Sequence, residues 1–438
     1  MRHYCPKTGA GTAGALISDP PLRRYKMDKR PETHTDQQTL LDLQERVAAK
    51  SRPMDLICVI LTLALIFGLS IAMIIIPDKD FSEQENRYLQ KMPELTLKTL
   101  VDGSFTGKLG DYFSDQFPMR DVFVGIKGAA EISLGKREND SVTLASDGYI
   151  VKRGGWIDYD IVDRNLAGIT AFADKTNELG IPYIVAVAGR GEDVLVSRLP
   201  ALYPDDPQNA LYGHIEASLG EKAGITYVGL RDIFRSMDIS GVDGMYYRTD
   251  HHWTSRGALT GANAILSSLG RPTHDYGEYT AETVSEEFYG TTWSSGGMKW
   301  VKPDTMEFLR FDGDDRFYTY LADYDSGFYG FYDRSYLEKK DKYSAFVGGN
   351  TARTDVYLTD ENGNRAGREK LIVIKDSFAH SAAPYLAREY DLIMLDLRYY
   401  KESVAKLAEE EGVSGVLVLV NADSLVSAAT FAILRLGL

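Results

Sequence analysis

The sequence predicts an α/β fold, a parallel sheet with flanking helices, preceded by one transmembrane helix and carrying a Tyr-rich insertion. Three observations predict it. From about residue 146 apolar runs alternate with helical patterns, a single long uncharged run lies upstream, and the alternation is interrupted between about residues 275 and 365. Strand and helix in alternation imply parallel strands joined by right-handed crossovers. With 44% hydrophobic residues, 27 Tyr and 17 Phe among 438 residues, the chain can bury such a core.

Residues 1–55 read as a cytoplasmic tail of Gly, Pro, Thr and mixed charge without an apolar period. Residues 56–76, "LICVILTLALIFGLSIAMIII", are 21 positions without a charge, the length of a bilayer-crossing helix. A cleaved signal peptide would have a shorter apolar region nearer the N-terminus and a small-residue cleavage site. The tail holds ten Lys/Arg against seven Asp/Glu, with Arg46, Lys50 and Arg52 beside the membrane, whereas Asp78 and Asp80 follow the span. The positive-inside rule therefore predicts a cell-membrane, single-pass protein with a cytoplasmic N-terminus and an extracytoplasmic C-terminal part. Since the whole chain carries −14, the outer part is strongly acidic, which argues against nucleic acid as a partner. Both cysteines, Cys5 and Cys58, precede it, so it has no disulfide and no thiol nucleophile, a composition that leans towards a bacterial cell surface.

Residues 77–145 read as a linker and lead-in, with a helix around residues 105–117, and residues 146–438 as the main domain. "GYIVKR" reads as a strand, "DRNLAGITAFADKTNELG" as an amphipathic helix and "IPYIVAVAG" as a buried strand. "NALYGHIEASLGEKAG" and "ITYVGLRDIF" continue as helix and strand. The insertion includes "WSSGGMKW" and a run of tyrosines, for which irregular or β structure is expected. "EKLIVIKDS", "DLIMLDLRYY" and "VSGVLVLVNADS" then resume the strands, with helices between.

Ligands of parallel sheets bind beyond the carboxyl ends of the strands. "LIVIKDSF" places Ser377 at that edge. Pro384 is expected in the first turn of the following helix, because deeper in it would cost a hydrogen bond. A serine nucleophile needs a base. In "TDHHWT", Asp250 and His252 are two apart in what reads as an extended run and point to one side, while His251 faces the other. Asp250 can then hold one ring nitrogen of His252 and leave the other for Ser377.

Competing readings are a plain helix cap for Ser377, a metal site at His251 and His252, and His380 as the base. No metal and no cofactor is expected. Trp253, Arg190, Tyr247 and Arg248 are candidate substrate contacts, with Trp253 equally at home in a core. Trp293, Trp300 and the tyrosines of the insertion suggest a carbohydrate surface, because aromatic faces cover sugar C–H groups.

"TDHHWT" followed by "VIKDSF", with the lead-in "FSEQENRYL" and "DYFSDQFPMRD", resembles the DHHW proteins, which are similar to the AlgX/AlgJ-type alginate acetylation proteins of the SGNH hydrolase superfamily. The resemblance covers roughly residues 80–430. It implies an SGNH-hydrolase-like sheet and a triad of Ser377, His252 and Asp250. It also implies O-acetyl transfer to, or removal from, a surface polysaccharide, with a membrane-bound O-acyltransferase as the partner supplying acetyl. Lys375 departs from the family's Gly. "VLVLVNADS" matches the family's oxyanion block loosely, with Asn421 as the candidate donor. The alternative is a non-catalytic glycan-binding surface scaffold with a degenerate triad.

Overall fold

The computed structural model describes residues 34–82, 87–139, 142–201, 203, 206–237, 241 and 244–435. Residues 1–33, most of the expected tail, lie outside them. A helix runs His34–Ile75, so the part of the expected tail from His34 onward is helical and continuous with the apolar run. Within it Pro53–Ile75 is long and apolar enough to cross a membrane, with none of its apolar window buried.

Residues 76–438 form a separate compact unit. Its centre is a sheet of eight strands: β1 (Tyr183–Ala188), β2 (Thr226–Gly229), β3 (Phe317–Leu321), β4 (Ser326–Tyr329), β5 (Arg353–Leu358), β6 (Lys370–Lys375), β7 (Asp391–Leu395) and β8 (Gly415–Asn421). Their spatial order is β4-β3-β5-β7-β6-β8-β1-β2. β7, β6, β8, β1 and β2 run parallel, and β5, β3 and β4 extend the sheet antiparallel. The expected parallel sheet is present, and the insertion is not an appendage: it supplies the antiparallel end.

Alternating residues separate the two faces. Ile184, Ala186, Leu371, Val373, Leu417 and Leu419 belong to one buried cluster, together with the helices Ser255–Ser268 and Phe378–Leu386. Val185, Val187, Ile372, Ile374, Val416 and Val418 belong to the other, under the helices Tyr159–Glu178, Asp206–Leu219 and Val404–Glu411. Strands covered on both faces need near-continuous apolar runs, which is what "LIVI" and "GVLVLV" supply.

Two expectations change. "GYIVKR" forms Ile150–Lys152, which pairs with Val142–Leu144 in a small hairpin outside the central sheet. Pro384 lies inside the helix Phe378–Leu386, which starts three residues upstream of Ser381. All nine of its residues are buried, and that burial outweighs the cost of an interior proline, of order 3 kcal/mol.

Candidate active site

Strand β6 ends at Lys375, and Ser377 follows as the N-cap residue of the helix Phe378–Leu386. Asp376 staples this junction. Its Oδ1 accepts from the Phe378 amide at 2.9 Å, and its Oδ2 accepts from the Asn421 amide and the Ser424 hydroxyl, each at 2.6 Å. The backbone at Ser377 is thereby held against the end of β8.

The partner segment folds as a tight loop closed by the Tyr247 amide on the His252 carbonyl, 3.2 Å, and by a bridge between Tyr246 and Trp253. Asp250 and His252 converge because Asp250 Oδ2 accepts from both the backbone amide of His252, 3.2 Å, and its Nδ1, 2.5 Å. This is a side-chain-capped turn, not the extended run expected. His252 Nε2 lies 2.7 Å from Ser377 Oγ. Asp250, His252 and Ser377 thus form one continuous relay across 127 residues of sequence.

His251 does not face away. Its ring lies 3.8 Å from that of His252, centroid to centroid, and its Nδ1 is 3.6 Å from Asp250 Oδ1. Thr291 completes the arrangement. Its amide (2.8 Å) and hydroxyl (2.9 Å) donate to Asp250 Oδ1, and the hydroxyl accepts from His251 Nδ1 at 2.6 Å. Such an approach is open only to glycine at position 290, where a Cβ would stand 2.1 Å from Asp250 Cβ. From the insertion comes Tyr343, whose ring stacks on His252 at 3.8 Å and 6°, while its hydroxyl reaches the Ser381 hydroxyl at 2.8 Å.

Electrostatics follow from burial. Burial alone would raise the Asp250 carboxyl, yet the facing imidazoles of His252 and His251 hold it well below its ordinary value. Burial, with the charge of His251, pushes His252 down to about 4 against the pull of Asp250. His251 is raised despite burial, by Asp250. His252 is therefore neutral near pH 7, with Nδ1–H on the carboxylate and Nε2 free to take the Ser377 proton. Asp250, His251 and His252 also bring possible metal-ligand atoms within 4.8 Å of one another. The Asp250 oxygens, both His252 nitrogens and His251 Nδ1 are engaged with one another, with Thr291 and with Ser377.

Ser377 opens into a groove of about 570 Å³ lined by Lys152, Arg153, His251, Thr291, Ser295 and Arg398, among others. Asn421 also lines it. However, its Nδ2 donates to the carbonyls of Gly189 (2.9 Å) and Ala188 (3.3 Å), and its Oδ1 caps the Asp423 amide at 2.9 Å. The Asn421 side chain is thus hydrogen-bonded to the strand end while it also lines the groove that holds Ser377.

The other substrate candidates are all engaged within the protein, and Arg190 and Tyr247 line a small pocket with Asp250 and His251. Trp253 is fully buried, its Nε1 donating to the Phe378 carbonyl (3.1 Å) and the Ser381 hydroxyl (2.8 Å), so it props the serine-bearing helix. Arg190 is buried and paired with Asp193 at 2.7 Å and Glu192 at 3.5 Å. Tyr247 is buried edge-on to Phe288, and Arg248 pairs with Asp304 at 3.2 Å. Both line a separate pocket that does not contain Ser377. Trp293 is buried between Tyr289 and the Lys299 ammonium, whereas Trp300 is 44% exposed. Sequence reasoning missed Thr291 and Tyr343. Nothing local marks either, though Gly290 beside Thr291 is a trace of the close approach.

Residues 221–395 match the family model described as DHHW protein. A comparison with curated protein sequences finds no match. Among solved structures, a DHHW family protein from Eubacterium siraeum superposes with a TM-score of 0.53 at 19% identity, over 68% of this chain and 95% of its own. Bacillus cereus PatB1, solved with a sulfonyl adduct, gives 0.53 at 17% identity, over 66% and 98%. The O-acetyltransferase domain of Pseudomonas putida AlgJ gives 0.40 at 14%, over 66% and 92%. At these identities the first two likenesses establish a shared fold. The DHHW match contains Asp250, His252 and Ser377.

Proposed function

We propose, from the DHHW match and the relay beneath it, that the chain is a membrane-anchored, extracytoplasmic O-acetyltransferase or acetylesterase acting on a cell-surface polysaccharide. One observation carries the reading: Asp250 Oδ2, His252 and Ser377 Oγ are in line at 2.5 and 2.7 Å. Ser377 Oγ attacks the acyl carbonyl while its proton passes to His252 Nε2, and Asp250 stabilises the imidazolium. The Ser377 amide, at the positive end of the helix Phe378–Leu386, is the donor this chain offers the oxyanion. Collapse expels the alcohol, which takes the proton back from Nε2 and leaves an acetyl ester on Ser377. A sugar hydroxyl or water, deprotonated by His252, then attacks the acetyl carbonyl, and collapse breaks the bond to Ser377 Oγ, which takes the proton back from His252 Nε2. A membrane-bound O-acyltransferase as donor partner belongs to the same proposal. The orientation rests on the charge asymmetry about residues 53–75.

The likeness to PatB1 with its sulfonyl adduct suggests the reagent. The full chain in detergent should be inactivated by an aryl sulfonyl fluoride, with the added mass on the peptide holding Ser377, and should release acetate from an acetylated glycan fragment. Labelling elsewhere, or acetate release unchanged in Ser377→Ala, refutes the assignment. Glycan binding without any ester cleavage would favour the non-catalytic scaffold.

A further inference from the structure

The helix Arg120–Ser133 belongs to the lead-in that follows the apolar span in the chain, and it buries only Gly128. Plotted at about 100° per residue, Ala129, Val122, Ser133, Ile126, Ala130 and Phe123 fall on one continuous outward arc, with the cap residues Met119 and Leu134 flanking the helix at its two ends. Seven of these eight are apolar, and all are exposed: Met119 by 62%, Val122 by 49%, Phe123 by 38%, Ile126 by 58% and Leu134 by 83%. Lys127 and Arg120 stand at one border of the arc.

Rolling the helix cannot hide this face. Its opposite side is already used: a Cβ on Gly128 would lie 3.2 Å from the Gly297 carbonyl, and Ile132 packs against the small core of Val142, Ile150 and Trp293. An apolar face of this extent on a helix already seated on its domain needs an external cover.

The start of the same unit identifies the cover. Asp78 accepts from the Tyr112 hydroxyl at 3.0 Å, and Lys79 exchanges two 3.0 Å hydrogen bonds with the Gln116 side chain. Ile76 and Pro77 share a cavity of about 580 Å³ with Phe117, Met119 and Val122. The apolar span ends at Ile75, the residue before. Wherever the chain leaves the bilayer, the N-terminal end of this helix is beside it.

We infer that the helix Arg120–Ser133 lies in the surface of the lipid bilayer, with Met119, Val122, Phe123 and Ile126 among the acyl chains and Arg120 and Lys127 at the head groups. This second contact holds the domain against the membrane rather than on a free tether. The inference rests on residues 53–75 spanning the membrane and is independent of the ester chemistry.

The test uses the full chain with Cys5→Ser and Cys58→Ser in vesicles of phosphatidylcholine and phosphatidylglycerol. Single cysteines replace Ile126, Phe67 as a calibrator in the span, or Lys406 as a water-exposed reference, each carrying an environment-sensitive fluorophore. Labels at 67 and 126 should be quenched several-fold more by nitroxide lipid than the label at 406, and shielded from iodide. Adding Val122→Asp, an exposed position, should return the label at 126 to iodide while leaving that at 67 unchanged. A label at 126 open to iodide overturns the inference. So does one shielded from both quenchers, which would mean that a second copy or another protein covers the helix. Lipid quenching at 67 without quenching at 126 removes this inference alone, and its loss at 67 removes the anchor as well.

Discussion

Two buried imidazoles flank Ser377, and their surroundings are opposite. His252 has a carboxylate on Nδ1 and the serine on Nε2. His380, three residues beyond the serine, has the Lys375 ammonium at 2.8 Å on Nε2. Burial, then the charge of Lys375, holds His380 well below its ordinary value. Lys375 itself is turned away from the groove and held by Asp396 at 3.3 Å. A ring nitrogen facing a cation accepts a hydrogen bond from it, and the ring has nothing to stabilise a charge of its own. The partner of the far nitrogen, rather than nearness to the serine, decides which ring can act as a base.

Breaking the His252 side should have the largest effects. Ser377→Ala and His252→Ala should each lower kcat for ester cleavage by about a thousandfold or more, measured by acetate release. Asp250→Asn should cost on the order of a hundred- to ten-thousandfold in kcat, because the ring loses its tautomer control, with melting temperature as the control for folding.

The His251 contribution appears as a pH shift. In the proposed chemistry neutral His252 is the base, so wild-type kcat/KM should be present above about pH 4 and be lost as pH falls through that value. His251 is charged across that range. In His251→Gln the like charge is gone, the His252 value rises, and the acid limb should move to higher pH. A limb that stays put, or moves lower, contradicts the coupling.

On the other side, Lys375→Met should lower kcat by less than about tenfold and raise the His380 titration seen by NMR, since its largest charged opponent is removed. Smallest in rate is Asn421→Ala: kcat within about tenfold of wild type, with a stability loss of about 1–3 kcal/mol from the carbonyls of Ala188 and Gly189 left unpaired. A thousandfold fall in kcat there would assign Asn421 to the oxyanion.

Much of the fold was legible because its signals are local. Strands β1, β6 and β8 are unbroken apolar runs ending at glycine or polar residues, and the helix Ser255–Ser268 starts after its Thr254 cap. "GYIVKR" misled because a three-residue strand carries no information about its partner. Pro384 misled because propensity was outweighed by complete burial. Arg190, Tyr247 and Arg248 sit near the right strand ends, but Arg190 turns onto its own neighbour Asp193, and Tyr247 and Arg248 are absorbed by Phe288 and Asp304, far along the chain.

By itself the sequence determined the apolar span, the parallel core and the types of residue available for acyl chemistry. Those depend on composition, periodicity and covalent order, which need no partner to be read. Only the tertiary structure decided that Asp250 turns back on His252, that Thr291 and Tyr343 hold this pair, and that Asn421 hydrogen-bonds a strand end. It also decided that Lys375 points away from the groove and that the helix after the span cannot bury its apolar arc. Apart from the local turn at Asp250, these are contacts between segments distant in the chain, where the geometry of packing, rather than the identity of the residue, sets which groups meet.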